Sequence, residues 1–291
     1  MELEMEKEGP KSGRPAPGVK SLYQPAVALQ FFKTFGKPET IAAGKAIFVE
    51  NEGAANIFSA GSKMYLLVDG DVDLSVGKKV IGSVGKGEVF GEMASITHLP
   101  RSATATARTA CSVLALDEKQ FLGAIEKAPE FAVMLMNIII SRLRETVSVL
   151  TAGGKLTEKS QWNRAAIFDR KLMADLQREM EDKPAQLHPL NKVIMKEGDK
   201  GIFMYVVLDG IVSVTIQERP VEKIGPGGIV GEMALVDQSP RIATAVAETD
   251  CTLLAINRTD FMNLVKSKPA FAIGLLKSLS ERLRFMTAKY K

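Results

Sequence analysis

At 291 residues the chain has room for two domains of ordinary size. An apolar fraction of 46% with 25% charged residues excludes a disordered chain. The net charge of +4 comes without a dense Lys/Arg stripe, so charge gives no case for nucleic-acid binding.

The N-terminal stretch 1–20 is rich in Pro, Gly and charge and predicts a disordered segment. Met1–Lys11 has no apolar signal-peptide core, and the longest apolar run, Phe131–Ile140, is too short to span a bilayer. The two cysteines, Cys111 and Cys251, sit in apolar runs and read as small buried hydrophobes. A soluble, cytoplasmic protein is expected.

Residues 21–150 are expected to form the first domain. Met64–Val68 and Val72–Val76 read as strands flanking Asp69-Gly70, a two-residue hairpin signal. Strands continue to Ser112–Leu116, and the pattern then turns helical through Lys119–Glu126 and Glu130–Leu150. Between them lie Phe90-Gly91-Glu92-Met93-Ala94 and Pro100-Arg101-Ser102-Ala103. A glycine lets a ligand approach the backbone, and a following helical turn aims N–H groups at an anion. Glu92 is an acceptor suited to a ribose hydroxyl, and the Arg101 fork suits the free oxygens of a phosphodiester. Ser102 adds a hydroxyl donor. The alternative is a structural Arg101–Glu92 ion pair in an empty pocket.

Residues 151–186 read as a helical connector. Gly153-Gly154 breaks the preceding helix, and Trp162, Ala165, Phe168, Leu172, Leu176 and Met180 recur at helical spacing before Pro184.

Residues 187–291 restate the first domain. Gly91-Glu92-Met93 returns as Gly231-Glu232-Met233, and Pro100-Arg101-Ser102-Ala103 returns as Pro240-Arg241-Ile242-Ala243, at an offset of 140. The same offset relates Tyr65 to Tyr205, Asp69-Gly70 to Asp209-Gly210 and Cys111 to Cys251. Upstream, Glu52-Gly53 pairs with Glu197-Gly198 at 145, which implies five extra residues within Ala54–Lys63 of the first copy. So long a period is a duplicated domain rather than a solenoid. Strands followed by helices in each copy predict a mainly β fold with appended α-helices: two jelly-roll β-barrels, each followed by a long helix.

The doubled Gly-Glu and Pro-Arg motif resembles the phosphate-binding cassette of the cyclic-nucleotide-binding domain family, and the resemblance covers Gly44–Leu150 and Asn191–Lys291. It is shared with the effector domain of bacterial catabolite activators and the regulatory subunit of cAMP-dependent protein kinase. The resemblance implies that Gly91 and Gly231 offer backbone N–H, that Glu92 and Glu232 hold the ribose 2′-hydroxyl, and that Arg101 and Arg241 neutralise the cyclic phosphate. Ala103 and Ala243 add a backbone N–H, with Met93 and Met233 in the same turn. Ile242 in place of Ser102 removes a hydroxyl donor and a feature tied to guanine preference. Thr146 falls where catabolite activators contact adenine, and Met286 with Thr287 takes that place in the second copy. The implied ligand is cAMP, with cGMP the other candidate, and no cofactor or metal is called for.

Met136, Ile140, Leu143, Val147 and Leu150, and likewise Leu276, Leu279, Leu283, Met286 and Tyr290, form heptad-like seams. Each helix either packs on its own barrel or pairs with the other, within one chain or across a homodimer. In this family the helices move when ligand binds. Only seven residues follow Arg284, which leaves no room for the helix-turn-helix of a catabolite activator, so direct DNA binding is not expected. There is no Walker-type loop, metal-ligand cluster or paired nucleophile, and His98 and His188 read as surface histidines. The expected function is therefore a non-enzymatic regulatory protein controlling a protein partner. Met1–Lys37 holds only Gly13-Arg14-Pro15 as a weak inhibitor-like sequence, so a kinase partner has little support. The alternative is an interaction scaffold that keeps the fold without ligand.

Overall fold

The computed structural model describes residues 24–53, 62–154, 156, 162–163 and 166–290. The expected disordered segment 1–20, most of the loop insertion and Ala165 lie outside them. The chain divides into two compact units, Met1–Met134 and Leu135–Lys291.

The first copy opens on a helix that the sequence reading lacks, α1 (Pro25–Phe35). Strands β1 (Lys37–Ile41), β2 (Ala46–Phe48), β3 (Met64–Asp69), β4 (Val72–Val76), β5 (Lys79–Val84) and β6 (Val89–Phe90) follow. A short helix α2 (Glu92–Thr97) precedes β7 (Thr104–Ala107) and β8 (Cys111–Leu116), and α3 (Glu118–Ile125) and α4 (Pro129–Ala152) close the copy. The unit boundary falls inside α4, so its residues from Leu135 onward belong to the second unit. That unit continues with β9 (Trp162–Asn163), α5 (Arg170–Glu179), β10 (Gln186–His188), β11 (Val193–Met195), β12 (Phe203–Asp209), β13 (Val212–Ile216), β14 (Arg219–Ile224) and β15 (Ile229–Val230). It ends with α6 (Glu232–Asp237), β16 (Thr244–Ala247), β17 (Cys251–Asn257), α7 (Arg258–Ser267) and α8 (Pro269–Thr287).

Each copy forms two antiparallel sheets, β1-β8-β3-β6 with β2-β7-β4-β5, and β10-β17-β12-β15 with β11-β16-β13-β14. Period-two burial, as in Thr104–Ala107, turns one side of each strand inward. Phe48, Tyr65, Leu67, Val72, Phe90 and Val113 fill the first core, beside the thiol of Cys111. Both cysteines are buried and unpaired, as expected. The fold is the expected mainly β one with appended helices. Among the described residues no helix is long and apolar enough to cross a membrane.

Four expectations need correction. The Asp69-Gly70 turn is not a hairpin: β3 and β4 lie in different sheets, and the turn passes the chain between them. The hairpins are β4–β5 and β13–β14, the latter turning on Gln217 and Glu218 at φ 47° and 63°. The connector is not one helix from Trp162. Trp162 lies in β9, parallel to β14, with its ring stacked 5.0 Å from that of Phe285. The helix starts only at Arg170, where the Asp169 side chain accepts from the Leu172 N–H at 2.8 Å and fixes the N-terminus. The upstream offset is 147 rather than 145. Gly77 N–H donates to Glu50 as Gln217 N–H does to Glu197, and Asn51 N–H donates to the Arg101 carbonyl as Gly198 N–H does to that of Arg241. The first copy therefore carries seven extra residues, not five. Lastly, His188 is no surface histidine: both its ring nitrogens are buried, with no hydrogen-bond partner among the described residues. His98 is exposed and pairs with Glu118 at 3.2 Å.

Candidate binding sites in the two cassettes

In the first unit β6 delivers the chain to Gly91, which stands at φ 73°, ψ 5° before α2. Few residues other than glycine adopt this left-handed conformation, and a Cβ would sit 3.0 Å from both Arg101 Nη1 and the Phe48 ring. Arg101 is 6% exposed. Its Nη1 donates to the Gly91 carbonyl at 2.8 Å and its Nη2 to the Lys63 carbonyl at 2.7 Å. The guanidinium lies 4.1 Å from the centre of the Phe48 ring, a cation–π contact. Its backbone is tied on both sides, to Asn51 N–H and to the Glu52 carbonyl. Burial pulls the guanidinium below its ordinary pKa, and Tyr65, Glu52 and Glu92 oppose that shift. Arginine keeps its charge in such surroundings. Glu92 is 1% exposed, Ala103 is buried, and Met93 and Ser102 are half-buried. The cassette thus holds a buried cation and a buried carboxylate beside a left-handed glycine, against the stacked rings of Tyr65 and Phe90.

The second cassette repeats this frame. Gly231 stands at φ 86°, ψ 3°, and Arg241, 6% exposed, donates through Nη1 to the Gly231 carbonyl at 2.5 Å and through Nη2 to that of Phe203. Again burial pulls the guanidinium down, opposed by Tyr205, Glu232 and Asp199. Met195 stands where the first copy has Phe48, since Met195 faces Ala245 of β16 as Phe48 faces Ala105 of β7. A cavity of about 60 Å³ joins Gly231, Glu232, Met233, Arg241, Ile242 and Ala243.

Helices form part of its wall. Leu143 and Val147 of α4 and Arg282 and Met286 of α8 also line it. Thr146 therefore belongs to the second unit, on the turn of α4 beside the Arg241 cavity, whereas Arg101 belongs to the first. The Thr146 hydroxyl donates to the Arg142 carbonyl at 2.8 Å, within its own helix. Thr287 does likewise to Leu283 at 2.8 Å, and its neighbour Met286 reaches the cavity.

Sequence reasoning missed two groups here. Arg282 is buried, donating through Nε to Glu222 at 3.0 Å and through Nη1 to Glu232. Burial opposes its charge, but Glu222 and Glu232 outweigh that and raise its pKa. Arg144 grips Asp237 through Nε at 2.5 Å and Nη2 at 3.0 Å, and donates through Nη1 to the Pro240 carbonyl at 3.0 Å. The available signal was the copy-to-copy difference: Glu222 and Asp237 replace Gly82 and Thr97.

The profile of the family described as Cyclic nucleotide-binding domain matches residues 39–128 and 187–268. A cAMP-dependent protein kinase regulatory subunit of Aspergillus niger is 29% identical over 221 residues, covering 71% of this chain and 48% of that protein. A cyclic AMP receptor protein of Thermus thermophilus is 39% identical over 104 residues, 34% of this chain and 48% of that protein. The chain spans about half the length of these two curated relatives. Among solved structures, the regulatory domain of Toxoplasma gondii PKA with cAMP is 22% identical, covering 82% of this chain and 85% of its own at a TM-score of 0.30, too low to support any comparison of geometry.

Proposed function

The chain belongs to the cyclic nucleotide-binding domain family, with two such domains in tandem, and from that membership we propose that it is a regulatory protein that binds cAMP in both cassettes and signals to a protein partner through its helices. The observation that carries this reading is the pair of buried arginines, each clamped to the carbonyl of a left-handed glycine beside a buried glutamate. A buried charge with no ionic ligand is costly, and a phosphodiester monoanion is its natural counter-ion. The guanidinium carries five N–H donors, of which the two carbonyls take one each. Glu92 and Glu232 accept from the ribose 2′-hydroxyl. Cytoplasmic action fits the two unpaired thiols.

Helix movement follows from size. The second cavity measures about 60 Å³, whereas a cavity that takes up benzene measures about 150 Å³. A nucleotide enters only when lining groups shift. The barrel wall is tied by strand ladders, so the shift falls to α4 and α8, and this is what a partner reads.

One observation favours the other reading, a ligand-free scaffold, for the second cassette: Arg282 already engages Glu232. Isothermal titration with cAMP and cGMP separates the two. The proposal expects two sites per chain, one lost with Arg101→Ala and the other with Arg241→Ala. Absence of heat with both nucleotides in a folded chain overturns it.

A further inference from the structure

Two carboxylates set the second cassette apart from the first. Glu222 opposes Val214 in β14 as Gly82 opposes Leu74 in β5, and Asp237 ends α6 as Thr97 ends α2. Neither carboxylate has a counterpart in the first copy. Thr97 carries no charge to hold an arginine, and its hydroxyl is used locally, donating to the Met93 carbonyl and accepting from Leu99 N–H. An aspartate at a helix C-terminus is unfavourable for the helix itself. Its position is explained by the partner it holds.

Each carboxylate is gripped by an arginine from a helix that lines the second cavity. Glu222 holds Arg282 of α8, whose other arm occupies Glu232, the acceptor expected for the ribose hydroxyl. Asp237 holds Arg144 of α4, which also bonds the Pro240 carbonyl next to Arg241. The same helices bring Met286, Leu143 and Val147 over a cavity too small for a nucleotide.

We propose that Glu222 and Asp237 set the nucleotide affinity of the second cassette by latching α8 and α4 shut over it, so that ligand enters only when Arg282 leaves Glu232. This rests on the reading that the cassettes bind cyclic nucleotide. The apparent affinity of a site falls in proportion to the fraction of time it is open. Removing a latch raises that fraction and tightens binding, the opposite of what deleting a ligand contact does.

The test is titration of the full chain with cAMP, comparing the parent with Glu222→Ala, Asp237→Thr and the double variant. Arg241→Ala identifies the second site, and the first serves as internal reference. Glu222→Ala is expected to tighten the second site about tenfold, the value of the one charge-assisted hydrogen bond lost from the closed state, and Asp237→Thr, which loses two, by at least as much, with the first unchanged. The double variant approaches the product of the two. Without ligand, amides of Leu276–Met286 exchange hydrogen faster in Glu222→Ala. Two sites with the second unchanged or weakened, in variants that melt cooperatively, overturn the latch alone. A second site that binds no cAMP in parent or variants overturns the binding reading and the latch with it. Unchanged exchange in α8 counts against the latch whether or not ligand binds.

Discussion

Gly231→Ala tests how tightly the second cassette is built. At φ 86° the added methyl adopts a left-handed conformation that costs about 1–2 kcal/mol. It would also lie 2.5 Å from Arg241 Nη1 and 3.2 Å from Met195 Sδ. The guanidinium has no easy retreat, because its two arms are bonded to the Gly231 and Phe203 carbonyls. Displacing it forfeits a charge-assisted bond worth about 1.5–3 kcal/mol. Together the variant loses about 2.5–5 kcal/mol of stability. Gly225→Ala is the control in the same unit: its Cβ meets nothing within 4 Å and its φ lies outside the left-handed region. That change is neutral or stabilising by up to about 1 kcal/mol. Urea unfolding of both variants, with the slope checked for constancy, reads the difference. A Gly231→Ala midpoint indistinguishable from that of Gly225→Ala would refute the claim that Arg241 is clamped against this glycine.

Asp117 caps α3, accepting from Gln120 N–H at 2.8 Å while the Gln120 side chain accepts from Asp117 N–H at 3.0 Å. Asp117→Ala should cost about 1 kcal/mol and Asp117→Asn much less, by thermal melting. Burial and Lys192 hold the His188 imidazole below its ordinary pKa. The unfolded chain then takes up a proton that the folded one refuses, so stability is full above about pH 6.5 and falls as pH drops below it. His188→Gln should flatten the parent's loss of stability between pH 7.5 and 5, and parallel curves would show that His188 does not titrate in this way. Arg282→Met strips the counter-ion from two buried carboxylates and should cost about 3–5 kcal/mol, read in the same urea titration.

The repeat and the cassettes were legible because their chemistry is local: the Gly-Glu and Pro-Arg segments lie nine residues apart, and the fold brings each arginine onto the carbonyl of its glycine. What the sequence hid was long-range. Nothing near Asp69-Gly70 says that β3 pairs with β8 rather than with β4. Trp162 to Met180 satisfied a helical period, yet the Asp169 cap and the stacking of Trp162 on Phe285 decided where the helix begins. The 147 offset shows only through backbone bonds such as Gly44 N–H to Ala107 and Asn191 N–H to Ala247. Glu222, Glu232 and Arg282 converge from positions up to 60 residues apart, which no window of sequence displays.

A crystal structure of the full chain grown with cAMP tests the central claim most directly. The phosphate oxygens should lie within hydrogen-bond distance of the Arg101 and Arg241 guanidinium groups, with each ribose 2′-hydroxyl on Glu92 or Glu232. Nucleotide density elsewhere, or none with both arginines still held by glycine carbonyls at saturating cAMP, would contradict it.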